Sequence, residues 1–94
     1  MSDHLDQARR YHEAIRWVLL HEWDPIGVQN IPQAQDEYDS YVPAIHALLI
    51  RRESKYKLVE YLWSVETISM GLCGNRRRTE EVADILMRLP DEVS

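Results

Sequence analysis

The alternation of apolar and polar residues resolves into four segments of helical period and one segment with none. Leu5, Ala8, His12, Ile15 and Leu19 recur at the three-and-four spacing of a helix with one face on a core. They predict a first helix over 3–22, with Ser2 placed to cap it and the acid-before-base pairs Asp6–Arg10 and Glu13–Arg16 on its other side. Trp17 and Leu20 fall outside that core stripe. Residues 39–52 predict a second helix with Tyr41, Ile45, Leu48 and Leu49 inward. Its Pro43 is close enough to the start to be accommodated, and Arg51 and Arg52 sit where the helix dipole favours cations. Ser54 can cap a third helix, 55–70, whose stripe of Leu58, Tyr61, Leu62, Val65 and Ile68 ends at Gly71. Tyr56, Val59, Trp63 and Met70 form a second stripe on that helix, which is therefore expected to be central or covered by a partner. A fourth helix holds Val82, Ile85, Leu86 and Leu89, begins at Asn75 or Thr79, and is expected to stop at Pro90.

The segment without period is W-D-P-I-G-V-Q-N-I-P, residues 23–32, where two prolines and a glycine predict a structured connection. Asp24-Pro25-Ile26-Gly27 reads as a turn, because an Asp side chain can accept downstream amides and Pro presets the next φ. No run of β-branched residues alternates convincingly enough to predict a strand. The expected fold is all-α, a small antiparallel bundle of about four helices in a single domain spanning 1–94.

Composition narrows the function classes. Three Trp and five Tyr among 45% hydrophobic residues suffice for one core. No stretch approaches the roughly 20 apolar residues of a membrane helix, and Met1–Arg10 is too polar for a secretory leader, so a cytoplasmic protein away from membranes is expected. Cys73 is the sole cysteine, which suits a reducing compartment and removes multi-cysteine metal motifs. A net charge of −5 argues against nucleic acid, whose binding rests on neutralising phosphates. The charge is also lopsided: residues 17–50 hold five acids and no Lys or Arg, whereas 51–78 hold seven basic residues against three acids.

Candidate chemistry gathers around the first connection, in Trp23, Asp24, Asp36, Glu37, Tyr38, Asp39 and Tyr41. So many carboxylates close in sequence call for a counter-charge: the chain's own basic region, a metal ion or a basic partner. A hard cation would take oxygen ligands, but D-E-Y-D lacks the alternating acids and central glycine of a calcium loop. Capping and turn formation by Asp24, Asp36 and Asp39 is the competing structural explanation. Arg76-Arg77-Arg78 would oppose the dipole if they began a helix, and otherwise form a loop paired with Glu80, Glu81 or the acidic loop. His4, His12, His21 and His46 match no metal-ligand motif, and His12 reads as a hydrogen-bonded core or boundary residue. Cys73 follows a helix C-terminus, which raises a thiol pKa, and reads as inert. No nucleophile, base and acid set stands out, no cofactor motif is present, and catalysis ranks last.

The motifs W-D-P-I-G-V (23–28), D-E-Y-D-S-Y (36–41) and M-G-L (70–72) resemble those of a family of small bacterial proteins of unassigned function, over roughly residues 15–89. The resemblance implies a compact helical fold in a bacterial cytoplasm and brings no activity or cofactor. It singles out Trp23, Asp24, Pro25, Gly27, Asp36, Glu37, Tyr38 and Tyr41, and leaves Arg76–Arg78 outside the pattern. The expected function is a non-enzymatic interaction protein whose acidic, aromatic loop engages a protein partner of basic character, as small inhibitory or immunity proteins do. The alternative is a small-ligand or divalent-metal site in the same loop. Exposed aromatics on the Trp17 or Trp63 faces add the expectation of a homodimer.

Overall fold

The computed structural model describes residues 3–93, with side chains described over 6–90, and the proposed Ser2 cap lies outside them. Four helices follow one another: α1 (Asp3–Val18), α2 (Val42–Ile50), α3 (Lys55–Ser64) and α4 (Arg76–Val93). No strand occurs among the described residues. Cross-helix contacts show each helix antiparallel to the next. His12 of α1 meets His46 of α2 while Arg16 reaches back to Asp39, ahead of α2. Lys55, at the start of α3, pairs with Asp84, and Glu60, further along, pairs with Arg76 at the start of α4. Arg78 donates to the Glu22 carbonyl just past α1, which closes the up-down-up-down arrangement. The Cα radius of gyration, 13.1 Å, equals what a compact chain of about 100 residues has. No helix of the described residues is long and apolar enough to cross a membrane.

Ile15, Leu19, Ile45, Leu58, Leu62, Val82 and Leu86 form the centre of the core, each essentially without solvent exposure. Two departures from simple helical period shape it. Both α1 and α3 widen at their C-terminal ends into a single π turn, Leu19–Trp23 and Val65–Ser69, each closed by an i to i−5 bond of 2.8 Å, Asp24 N–H to Leu19 and Met70 N–H to Val65. A π turn takes more residues per revolution and so rotates the positions that follow. Leu20, expected on the outer side, is buried at the first π turn; Ile68, expected in the core stripe of α3, is 79% exposed because α3 buries the face of Leu58, Val59, Leu62 and Glu66. Trp17, on the ordinary α-helical stretch before the first π turn, stays outward as its phase predicts.

The second helix is shorter than 39–52, because Asp39–Tyr41 form a 3₁₀ turn ahead of it. Its end is an Arg-for-Gly variant of a common motif. Arg52 and Glu53 N–H bond back to the Leu49 and Leu48 carbonyls, with Arg52 in the left-handed region at φ 55°. Glycine is the usual residue there because a Cβ is strained in that conformation. Arg52→Gly is therefore expected to stabilise the protein by about 0.5 to 1 kcal/mol, the relieved strain exceeding glycine's added unfolded-state entropy. An unchanged or lower urea midpoint would mean the arginine side chain contributes contacts that outweigh the strain.

Ser54 caps α3 as expected, its hydroxyl accepting from Lys57 N–H. The fourth helix starts at Arg76, between the two expected starts, with Asn75 Oδ1 accepting from Arg78 N–H. It also runs through Pro90, where it was expected to stop, because a proline in the last turn removes only one bond of the helical ladder.

Candidate functional site

At the end of the bundle where α1 and α3 finish and α4 begins, the loop from Asp24 to Tyr38 is fixed from within. Asp24 takes a left-handed backbone, φ 36° and ψ 57°, which stops the chain from continuing as helix. The Gly27 N–H then bonds the Asp24 carbonyl at 3.1 Å, closing the Asp24–Gly27 turn that the sequence predicts. Asp24 Oδ1 accepts from Val28 N–H and from the Tyr38 hydroxyl, both at 2.8 Å, and Oδ2 accepts from Gln29 N–H at 3.2 Å. The Tyr38 hydroxyl in turn accepts from Ile26 N–H, and the Gln35 amide lies within bonding distance of the Val28, Gln29 and Ile31 carbonyls. Burial alone would raise the Asp24 pKa, but the amides of Val28 and Gln29 and the Tyr38 hydroxyl outweigh it and hold the carboxyl below its ordinary 3.8. Burial first, then the Asp24 and Glu37 charges, push the Tyr38 hydroxyl well above its ordinary range, so it remains a donor to Asp24.

Beneath the loop, Trp23 joins the two π turns. It is 2% exposed, packs its ring against Tyr38 with centroids 5.5 Å apart, and meets the edge of Tyr41 at 6.5 Å. Its indole N–H donates to Glu66 Oε1. Glu66, itself 2% exposed, also accepts from the Thr79 hydroxyl at 2.6 Å and, on Oε2, from Asn75 N–H at 3.2 Å. No cation pairs with Glu66 among the described residues; three donors at the positive end of α4 hold it instead. Arg76 pairs with Glu60 and lies over the Trp63 ring at 5.3 Å, and Arg76 and Arg77 reach Glu80 and Glu81 one turn on. None of Arg76, Arg77 and Arg78 pairs with the acidic loop. The spacing does carry a signal for Glu66, which falls four residues after Leu62 and eight after Leu58, on the face that those leucines bury.

The residues singled out by the sequence thus separate. Trp23, Asp24 and Tyr38 hold the loop together, and Tyr41 is half-buried against Trp23. Asp39 pairs with Arg16 at 2.9 Å. Asp36 and Glu37 are exposed, neither caps α2, and among the described residues neither forms an ion pair. Ile26 and Ile31 of the same loop are 41% and 45% exposed. A hollow of about 220 Å³ opens beside Trp23, Glu66 and Arg78, but Asp36, Glu37, Tyr38 and Tyr41 take no part in it. No group of three or more His, Cys, Asp or Glu among the described residues is disposed to hold a metal ion. Cys73 is exposed.

The histidine reading has a partner that sequence spacing did not supply. His12 Nε2 lies 3.1 Å from His46 Nδ1, across 34 residues, in a part-buried contact that Tyr11 flanks. Burial first and then the nearness of His12 hold the His46 pKa below its ordinary 6.5. Arg9, Glu13, Arg16 and Asp39 line the same cleft. Because the folded pKa is depressed, the unfolded chain binds more protons between that pKa and about 6.5, so stability is expected to fall as pH drops through this window and to be flat above it. Urea midpoints at about pH 7.5 and 5.5 check this, and His46→Gln should flatten the difference; a higher midpoint at the lower pH in the wild type would contradict the depressed pKa.

Compared with known proteins, the chain matches no family model, no curated protein and no solved structure.

Proposed function

We propose that this chain is a non-enzymatic interaction module of the bacterial cytoplasm whose loop from Pro25 to Glu37 binds a basic protein partner, in the manner of small inhibitory or immunity proteins. The observation that carries this reading is the contrast within the loop. Its backbone is tied down by Asp24, Gln35 and Tyr38, while Asp36 and Glu37 stand exposed with no cation among the described residues. A loop ordered before binding loses little entropy on association, and free carboxylates steer a basic partner and discriminate against acidic ones. Ile26 and Ile31 supply the apolar contact that ion pairs at a rim do not. Trp17, 57% exposed and stacked on His21, supports a homodimer as a further contact, whereas Trp63 lies under Arg76.

Capture from a bacterial extract with immobilised protein tests the reading when three baits are compared: wild type, Asp36→Lys/Glu37→Lys, and Glu81→Lys as a surface control on α4. The expected result is a basic protein retained by wild type and control, lost with the loop variant, and released as salt shortens the Debye length from about 30 Å at 0.01 M to about 3 Å at 1 M. Equal retention by the loop variant would exclude the loop as the binding surface.

A further inference from the structure

The two ends of the bundle carry opposite charge that forms no ion pair among the described residues. α2 runs from the acidic loop to the 51–54 turn, so its nine residues alone hold those two features about 13 Å apart. At the loop end stand Asp36 and Glu37 with Ile26 and Ile31. At the other end Ile50 is 58% exposed, and Arg51 and Arg52 are exposed with no ion pair among the described residues. Among the described residues near them, Lys57 pairs with Glu53, and Lys55 with Asp84. Beside Arg52 a crevice of about 110 Å³ opens between Leu49, Met87 and Pro90. Arg52 also keeps a guanidinium at a left-handed position where glycine would be less strained.

We infer that the acidic loop of one copy docks on the Ile50–Arg52 turn of a second copy. The inference rests on the loop being an interaction surface and names another copy of this chain as a partner. Two carboxylates with two isoleucines on one end face two guanidiniums with an isoleucine and an apolar crevice on the other. The ends lie too far apart to satisfy each other within one molecule. Because the two surfaces differ, the contact is heterologous and leaves a free loop and a free turn after each addition, so it propagates as open chains. Exposed ion pairs contribute little each, so the association is weak, reversible and sensitive to salt.

Sedimentation of the intact protein reads this directly. At about 1 mM protein and 0.01 M salt, the weight-average mass is expected to rise with concentration past that of a dimer, and to return to the monomer at about 1 M salt, where screening acts within about 3 Å. Asp36→Lys/Glu37→Lys and Arg51→Glu/Arg52→Glu are each expected to be monomeric alone, with unchanged circular dichroism. Mixed in equal amounts they should associate again, since each reversed end then meets its complement. A wild type that stays monomeric throughout, a dimer plateau abolished by Trp17→Ala and not by the loop variant, or a mixture that stays monomeric would overturn the inference. If the wild type is monomeric yet the loop variant still loses a captured basic protein, only the self-docking fails. If the loop variant loses nothing, the proposed function fails with it.

Discussion

Trp23→Ala is expected to lower the unfolding free energy by about 3 to 5 kcal/mol, the range of large-to-small changes in a packed core. The ring is 2% exposed, touches Tyr38 and Tyr41, and spans the π turns of α1 and α3 through Glu66. Trp23→Phe separates the two contributions. It keeps most of the apolar area but removes the indole N–H, so it should cost about 1 to 3 kcal/mol, the usual penalty of taking one donor from a buried acceptor. Urea midpoints of both variants check this. Wild-type stability in Trp23→Ala would mean the ring is not an anchor and is free for binding.

Glu66→Ala is expected to destabilise by a similar amount, about 3 to 5 kcal/mol, for a different reason. It leaves the buried Trp23 indole N–H without its acceptor, at about 1 to 3 kcal/mol, takes the carboxylate from the Asn75 N–H ahead of α4 and opens a cavity, while the Thr79 hydroxyl keeps the Asn75 carbonyl at 2.9 Å. Glu66→Gln tests whether both carboxylate oxygens are needed. Oε1 serves Trp23 and Thr79 and Oε2 serves Asn75, so in either orientation the glutamine NH₂ faces a donor. A midpoint equal to wild type in Glu66→Gln would show that one oxygen suffices, and would contradict the three-donor network.

What the sequence made legible were features set by local chemistry. The Asp24–Gly27 turn follows from Asp, Pro and Gly in order, the Ser54 cap from a hydroxyl ahead of an apolar period, and the four helices from their spacing. What it concealed was which of two apolar stripes α3 buries: Leu58, Val59 and Leu62 go inward, so Glu66 on their face is buried and Ile68 is exposed, while Leu20 turns in at the π turn of α1. Neither π turn has a composition that announces it. The His12–His46 contact and the Arg16–Asp39 pair were hidden in another way, since each joins side chains from separate elements that only the packing of α2 on α1 brings together. The sequence singled out seven residues near one connection, and their division into braces and free charges came from the fold.

The proposed function rests on that division, and it requires that Asp36 and Glu37 contribute nothing to folding. Denaturant midpoints of Asp36→Asn, Glu37→Gln and Asp39→Asn, measured side by side at low salt, test it most directly. The account predicts that the first two leave stability unchanged or raise it, because mutual repulsion among uncompensated carboxylates is relieved. It predicts that the third lowers stability slightly, by no more than the roughly 1 kcal/mol of an exposed ion pair such as Arg16–Asp39. Losses of about 1.5 to 3 kcal/mol in Asp36→Asn and Glu37→Gln, the size of a removed hydrogen bond to a charged group, would show instead that these carboxylates brace the loop.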